Sequence, residues 1–160
     1  MTIQEILDSL KEFSEKFPRE ALQEAQNKRQ DIIPELLKAL DYVIENIEEV
    51  TSGDYFLHMY AMYLLGEFRE KQAFPKLVAL MHLSEENISI LGDSLTEDFP
   101  QLLCSTFDDE NIQMLLDVIE NQELYEYSRS AAVSAYGLLY RTGYILNSQP
   151  CRRRRYMVTE

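Results

Sequence analysis

Apolar residues recur along the chain every three or four positions, which is the period of an α-helix with one buried face. The first such stretch places five apolar side chains on one face: Ile3, Ile6, Leu7, Leu10 and Phe13. Thr2 and Glu5 have the spacing of a capping box, in which each side chain bonds the other residue's backbone N–H. The pattern therefore predicts a first helix over 3–16.

The same period predicts eight further helices, at about 18–29, 33–49, 55–68, 72–82, 85–92, 96–107, 110–121 and 126–141. Asp31 is the predicted cap of the third helix, and Ser84 of the sixth. The segment 55–68 is apolar on almost every side, so it must lie between neighbouring helices. Because the connections are short, consecutive helices are expected to run antiparallel in an all-α fold.

Three of these helices resemble one another in sequence. Shifting the segment that begins at His58 by 71 positions superposes Ala61 on Ala132 and Gly66 on Gly137, and the segment TEDFPQLLCSTF aligns at a shift of 39. Such spacings are close to the length of two-helix HEAT repeats. They predict three helix pairs in a HEAT-like α-solenoid, a right-handed array of antiparallel pairs in which the small residues let neighbouring helices pack closely.

Charge restricts the partners of the predicted domain, taken as residues 1–145. The formal net charge is −13 at pH 7, although the last ten residues include Arg152–Arg155. An acidic body repels phosphate backbones and anionic lipid, so we expect no nucleic-acid or membrane binding by the folded part. Residues 146–160 contain Pro150 and four consecutive arginines, which predicts a disordered or non-native basic tail.

The N-terminal sequence and the two cysteines favour a cytoplasmic location. MTIQEILDSL lacks the basic and apolar regions of a secretory signal. Cys104 and Cys151 stand far apart without a CxxC pattern, as expected for free thiols in a reducing compartment.

Histidine and carboxylate residues are the candidates for metal or acid–base chemistry. His58, His82 and Cys104 have no metal-ligand spacing, so no metal and no cofactor is predicted. Asp93, Glu97 and Asp98 cluster near a helix start. They are candidates for binding a cation or a basic partner, or for acid–base catalysis, but the preferred interpretation is that they cap a helix N-terminus and meet its positive dipole end.

Tyrosines and two isolated arginines are the candidates for ligand binding. Tyr55 and several other tyrosines concentrate on the helices predicted to be inner ones, where they would pack in the core or line a concave groove. Arg69 and Arg129 would anchor a carboxylate, or pair with neighbours such as Glu67 and Glu126.

Three segments carry a resemblance to a known family: YAMYLLGEFRE from Tyr60, LGD-x-x-TED from Leu91 and YSRSAAVSAYGLL from Tyr127. Over about residues 1–145 the chain resembles the bacterial family known as domain of unknown function 1186. The resemblance implies a HEAT-like helical repeat fold without an established activity. The sequence after Ile145 departs from the further helices that the resemblance implies, which leaves a naturally short solenoid or a truncated chain as alternatives.

These observations favour a non-catalytic scaffold or adaptor that binds an unknown protein or peptide on a concave face. The alternative is an enzyme, or a protein that handles a pigment or another small ligand, with an acidic, tyrosine-rich groove. A homo-oligomer built by stacking of repeat ends is a third possibility.

Overall fold

The structure, a computed structural model, describes residues 1–145; the predicted tail and its Arg152–Arg155 run lie outside the described residues. The described chain folds into ten α-helices: α1 (Ile3–Lys11), α2 (Arg19–Asn27), α3 (Arg29–Glu45), α4 (Ile47–Ser52), α5 (Leu57–Phe68), α6 (Ala73–Leu80), α7 (Ser94–Glu97), α8 (Phe99–Thr106), α9 (Ile112–Glu120) and α10 (Glu126–Arg141). Two 3-10 helices, Asn87–Leu91 and Asp109–Asn111, precede α7 and α9. The expected all-α class is confirmed, because these residues contain no strand beyond a single bridge between Glu12 and Tyr55.

The capping box at the start of α1 is confirmed, but the predicted end of this helix is wrong. The Glu5 backbone N–H donates to the Thr2 hydroxyl at 3.2 Å, and the Thr2 N–H donates to the Glu5 carboxylate at 2.6 Å. The helix ends at Lys11, whose carbonyl accepts from the Phe56 N–H at 2.7 Å. This contact ties the end of α1 to the start of α5. Phe13 consequently leaves the buried face and is 67% exposed.

The predicted third helix begins earlier than expected and is divided in two. Asp31 lies inside the first turn of α3 and not at its cap, and Pro34 is accommodated within the helix. The proline removes one bond to the carbonyl of residue 30, near the N-terminal end. The break falls at Asn46, whose side-chain amide donates to the Tyr42 carbonyl at 3.0 Å. The chain then continues as α4.

Helix α5 is the most deeply enclosed helix of the described chain, as its apolar sequence predicted. Eight of its twelve residues are buried. It packs against α1, α3, α6 and α8. The surrounding helices are amphipathic and turn their apolar faces towards it, so one contiguous core runs through the described residues.

Two sets of helix contacts extend the core along the chain. Helix α3 contacts α6, and α6 contacts α9. In a second set, α5 contacts α8, and α8 contacts α10. Each described helix is also too short or too polar to cross a membrane.

The two glycines that the sequence aligned have different surroundings. A Cβ atom added to Gly66 would lie 2.6 Å from Leu102 Cδ2 and 3.3 Å from Ser105 Oγ, so α8 approaches α5 at this point. The predicted packing role of Gly66 is therefore confirmed. The same role is wrong for Gly137, because a Cβ atom there would meet nothing within 4 Å.

This difference gives a matched pair of substitutions. We expect Gly66→Leu to lower the free energy of unfolding, because overpacking a filled contact costs about 1–3 kcal/mol. Gly137→Leu should leave stability unchanged or raise it by up to about 1 kcal/mol, since leucine is the better helix former. Urea denaturation followed by circular dichroism measures both. Equal stability of the two variants would contradict the close α5–α8 contact.

Candidate functional site

The main candidate site is an open groove of about 530 Å³ between the α7–α8 corner and the C-terminal half of α10. Pro100, Leu138 and Tyr140 supply apolar and aromatic surface, and Glu97 and Arg141 supply one charge of each sign. The remaining lining residues are small or polar: Thr96, Gln101, Ser134 and Gly137. We name this surface the α8–α10 groove.

The local sequence explains why the groove is open. Gly137 presents no side chain at the middle of the α10 wall, and nothing from the rest of the described chain fills the space. On the other wall, Pro100 lies in the first turn of α8, where its missing N–H has no helical acceptor to lose. The Asp98 N–H donates to the Ser94 carbonyl at 3.0 Å, which fixes the corner between α7 and α8.

The acidic cluster is only partly brought to this groove. Glu97 is exposed and lines it, whereas Asp93 is exposed and Asp98 is half-buried outside the lining. Asp93 precedes α7 and Asp98 precedes α8, but neither side chain accepts a capping hydrogen bond. Asp93 and Asp98 nevertheless occupy the N-cap positions of α7 and α8, and Glu97 lies in the first turn of α7, where the positive end of the helix dipole favours an acidic side chain. Over residues 1–145, no group of three histidine, cysteine or acidic residues is placed to hold a metal ion.

Asp98 instead pairs with a tyrosine of α5. The Tyr63 hydroxyl donates to Asp98 Oδ2 at 2.5 Å. Partial burial, followed by the hydrogen bond to the Asp98 carboxylate, raises the pKa of Tyr63 to about 12. Tyr63 therefore acts as a neutral donor at neutral pH, and its bond joins α5 to the groove corner.

Tyr55 and His58 lie near the N-terminal end of α5 and not in the groove. Their rings stack with centroids 5.9 Å apart and planes within 8°. Desolvation raises the pKa of Tyr55 to about 12. Tyr55 also lines a second cavity, of about 550 Å³, together with Lys11, Lys38 and Tyr42.

His58 is a buried residue with one hydrogen bond. Its side chain is 2% exposed, and its Nε2 lies 3.1 Å from the Ile90 carbonyl, so it donates there as the Nε2–H tautomer. Nδ1 is buried without a partner among the described residues. Burial lowers the pKa of His58, which keeps the ring neutral.

The two arginines singled out from the sequence form neither expected ion pair within the described chain. Arg69 is the exposed C-terminal cap of α5, in the left-handed region at φ 54°. Its neighbour Glu67 accepts from the Gln26 amide at 2.9 Å. Arg129 is half-buried, and its Nε lacks a partner within residues 1–145. Neither residue lines the groove.

Sequence reasoning missed most of the groove. Pro100, Gln101 and Arg141 carried no functional signal, and Gly137 was assigned to packing. Tyr140 is one of the tyrosines that the sequence concentrates on the predicted inner helices, and its 51% exposure distinguishes it from a core residue. The sequence feature that could have indicated the groove is the spacing of Gly137 and Tyr140, which lie one turn apart on the last predicted helix.

Comparisons with known proteins support the family resemblance. The model of the family described as "Protein of unknown function (DUF1186)" matches residues 1–154, beyond the limit at Ile145 that the sequence resemblance suggested. Two curated relatives, from Chlamydia muridarum (strain MoPn / Nigg) and Chlamydia trachomatis serovar D, are described as uncharacterized proteins. Each is 38% identical over 138 residues, which cover 84% of this chain and 54% of the relative. The chain thus spans about half the length of these relatives. No solved structure matches it.

The lowered pKa of His58 predicts a pH-dependent stability. The unfolded chain has the ordinary histidine pKa of about 6.5 and binds a proton more readily than the folded chain, so stability falls as the pH falls through this value. His58→Gln keeps a donor for the Ile90 carbonyl but does not titrate. We expect the wild type to lose more stability than His58→Gln between about pH 7.5 and pH 5.5. His82→Gln, at the exposed histidine, is the control and should follow the wild type.

The Tyr63–Asp98 bond predicts a measurable pKa change. In Asp98→Asn, the pKa of Tyr63 should fall below about 12 but stay above its ordinary value of about 10, because burial is the larger cause of the shift. Ultraviolet titration, with Tyr63→Phe used to assign the signal, measures it. Asp93→Asn should leave this pKa where it is. An unchanged value in Asp98→Asn would exclude the contact.

Proposed function

We propose that this chain, which belongs to the family described as "Protein of unknown function (DUF1186)", is a non-catalytic scaffold or adaptor that binds a protein or peptide segment. The proposal is based on the geometry of the chain itself. The observation that carries the proposal is the α8–α10 groove, an open depression lined by three apolar or aromatic residues, one charge of each sign and several small or polar residues. Grooves of this kind receive peptide segments through a few apolar anchors, and charged rims add specificity.

The proposal includes a HEAT-like arrangement of the helices. Helices α3, α6 and α9 would form one layer, and α5, α8 and α10 the other, with consecutive members in contact. The pairs would then be α3 with α5, α6 with α8, and α9 with α10. The groove would lie on the α5–α8–α10 layer, where helical repeat proteins present their binding surfaces.

Burial and exposure support binding over catalysis. Of the three clustered carboxylates, only Glu97 lines the groove, and it is exposed to solvent. A catalytic acid or base is commonly enclosed together with a group that perturbs its pKa. The Tyr63–Asp98 pair, which has such a perturbed group, lies outside the lining and joins two helices. Its geometry suits a structural link, so the enzyme alternative gains no specific support.

The apolar part of the groove lining predicts how binding responds to salt. A partner that inserts an apolar side chain over Pro100, Leu138 and Tyr140 should remain bound at moderate salt, because apolar contacts are not screened. Since the relatives extend well beyond the matched region, the proposal concerns the binding surface of this chain and not the activity of the whole relatives.

Filling the groove tests the proposal. In Gly137→Trp, the new side chain should occupy the groove without a clash, because the glycine faces open space. Val133→Trp adds the same side chain at a position of α10 that is 54% exposed and outside the lining. Affinity capture at moderate salt, quantified by mass spectrometry, compares the wild type with both variants.

We expect at least one protein to be recovered equally by the wild type and Val133→Trp but reduced about tenfold with Gly137→Trp, the loss of one anchor worth about 1.4 kcal/mol. If all three baits recover the same proteins in the same amounts, the groove is not the binding site. Circular dichroism of each bait confirms that the variants remain folded.

A further inference from the structure

Helix α10 has one side that remains exposed after the described helices have packed against α7, α8 and α9. Eight large apolar or aromatic side chains are exposed in the described chain, and three of them lie on this helix: Tyr127, Val133 and Tyr140. A fourth, Tyr144, follows it. Exposed apolar residues that gather on one side of a protein mark a contact surface. We name the exposed side of Glu126–Arg141 the α10 face.

The middle of the α10 face carries small residues. Ser130 is exposed, and Gly137 lies two turns further along the same line, because residues seven apart in a helix lie almost above one another. A Cβ atom added to Gly137 would meet nothing within 4 Å. Val133 and Ser134 are exposed on either side of this line. Another helix could therefore approach the middle of the face closely.

The residues of the α10 face are arranged symmetrically about the middle of the helix, which lies between Val133 and Ser134. Three pairs stand at equal distances on either side of this point: Glu126 and Arg141, Tyr127 and Tyr140, and Ser130 and Gly137. A two-fold axis through this point would lay the same helix of a second copy antiparallel on the face. The two members of every pair would then meet across the axis. The face is thus complementary to itself.

The chemistry of each pair suits a contact between two copies. Glu126 of one copy would meet Arg141 of the other at both ends of the helix pair. Within residues 1–145, neither side chain has an ion-pair partner of its own. Tyr127 would meet Tyr140, and aromatic rings pair favourably at their edges or with an offset. The small pair would meet at the centre, where it lets the two helices approach.

We propose that the α10 face is a self-association surface, on which α10 of a second copy docks antiparallel about a two-fold axis. The inference goes beyond the proposed function, because the face would pair whether or not the α8–α10 groove receives another protein. Gly137, Tyr140 and Arg141 belong to both surfaces. A paired molecule would therefore have to separate before a segment of another protein enters the groove.

Charge selects this face over the rest of the surface. The net charge of the chain is −13, so two copies repel each other wherever acidic surfaces meet. The chain has 28 acidic residues, but Glu126 is the single one in α10, which also carries Arg129 and Arg141. At physiological salt, charges further away than about 8 Å are largely screened. Two copies can therefore meet at the α10 face with a net attraction between the charges that come close.

The size of the contact sets its strength. Helix α10 has 16 residues and is about 24 Å long, at about 1.5 Å per residue. A contact that consists mainly of one helix pair lies at the small end of protein–protein interfaces, which are weak and transient. We therefore expect a dimer that forms and dissociates with concentration.

Reversal of the two charges tests the pairing. Sedimentation equilibrium of the chain 1–160 at about 0.15 M salt, over a range of protein concentrations, measures the association constant. We expect a reversible equilibrium between monomer and dimer for the wild type. Glu126→Arg, or Arg141→Glu, would place like charges opposite each other at both ends. Each single variant should lower the association constant about tenfold, since two repulsive contacts replace two ion pairs.

The double variant and a control test the register. Glu126→Arg combined with Arg141→Glu restores opposite charges at both ends, so the association constant should return to within about twofold of the wild-type value. Glu45→Arg makes the same change of charge at an exposed position of α3 and should associate as the wild type does. Circular dichroism of each variant confirms that it remains folded.

Three results would overturn the proposal. A wild type that remains monomeric at every concentration would leave the α10 face to a different protein. A dimer that neither single variant weakens would use another surface. A double variant that associates as weakly as the single variants would exclude the antiparallel register.

Failure of this inference is distinguishable from failure of the proposed function. Glu126 lies outside the groove lining, and weak dimers dissociate at the dilute concentrations of affinity capture. Glu126→Arg should therefore recover other proteins as the wild type does. A monomeric wild type, together with a loss of capture in Gly137→Trp, would overturn self-association alone. A dimer with the expected charge dependence, together with capture that Gly137→Trp leaves unchanged, would overturn the proposed function alone.

Discussion

The close contact between α5 and α8 determines where the α7–α8 corner and α10 lie. Helix α5 is enclosed by four other helices, and each fully buried leucine or methionine in it contributes about 1.5–3 kcal/mol relative to an exposed one. That burial requires α8 to come close enough for Leu102 to cover Gly66. Once α8 is held there, the α7–α8 corner is fixed, and Tyr63 bonds Asp98 across it. Helix α10 then packs on the other side of α8 and leaves the groove between them.

Much of the fold was predictable from local sequence. The capping box of Thr2 and Glu5 and the bounds of α10 follow from short-range patterns, and the enclosed position of α5 follows from its apolar residues on every side. The errors occurred where long-range contacts decide. Phe13 has the right spacing for the buried face of α1, but the Lys11–Phe56 hydrogen bond ends the helix first. Asp31 has the residue type of a cap, yet the chain becomes helical two residues earlier.

The site was much less predictable than the fold, because a groove forms where no neighbouring side chain fills the space beside a helix, and the sequence does not show which surfaces are left uncovered. Gly66 and Gly137 align in sequence and look equivalent, but only the structure shows a helix against one and open space beside the other. The partners of the charged side chains were also not predictable from neighbouring positions in the sequence. Asp98 meets a tyrosine hydroxyl from another helix, and Glu67 meets a glutamine amide, so neither follows its nearest charged neighbour in sequence. Of the residues singled out from the sequence, Glu97 and, from the tyrosine-rich group, Tyr140 line the groove.

We infer that the described helices form a rigid platform whose groove exists before any partner binds. Residue-resolved hydrogen exchange of the free chain 1–160 measures this rigidity, because protection reports the local free energy of opening. We expect the slowest exchange in α5, strong protection of α8 and of the C-terminal half of α10, and fast exchange in the loop 12–18. If α8 and the C-terminal half of α10 exchanged as fast as that loop, the groove would not be preformed and the rigid platform would be excluded.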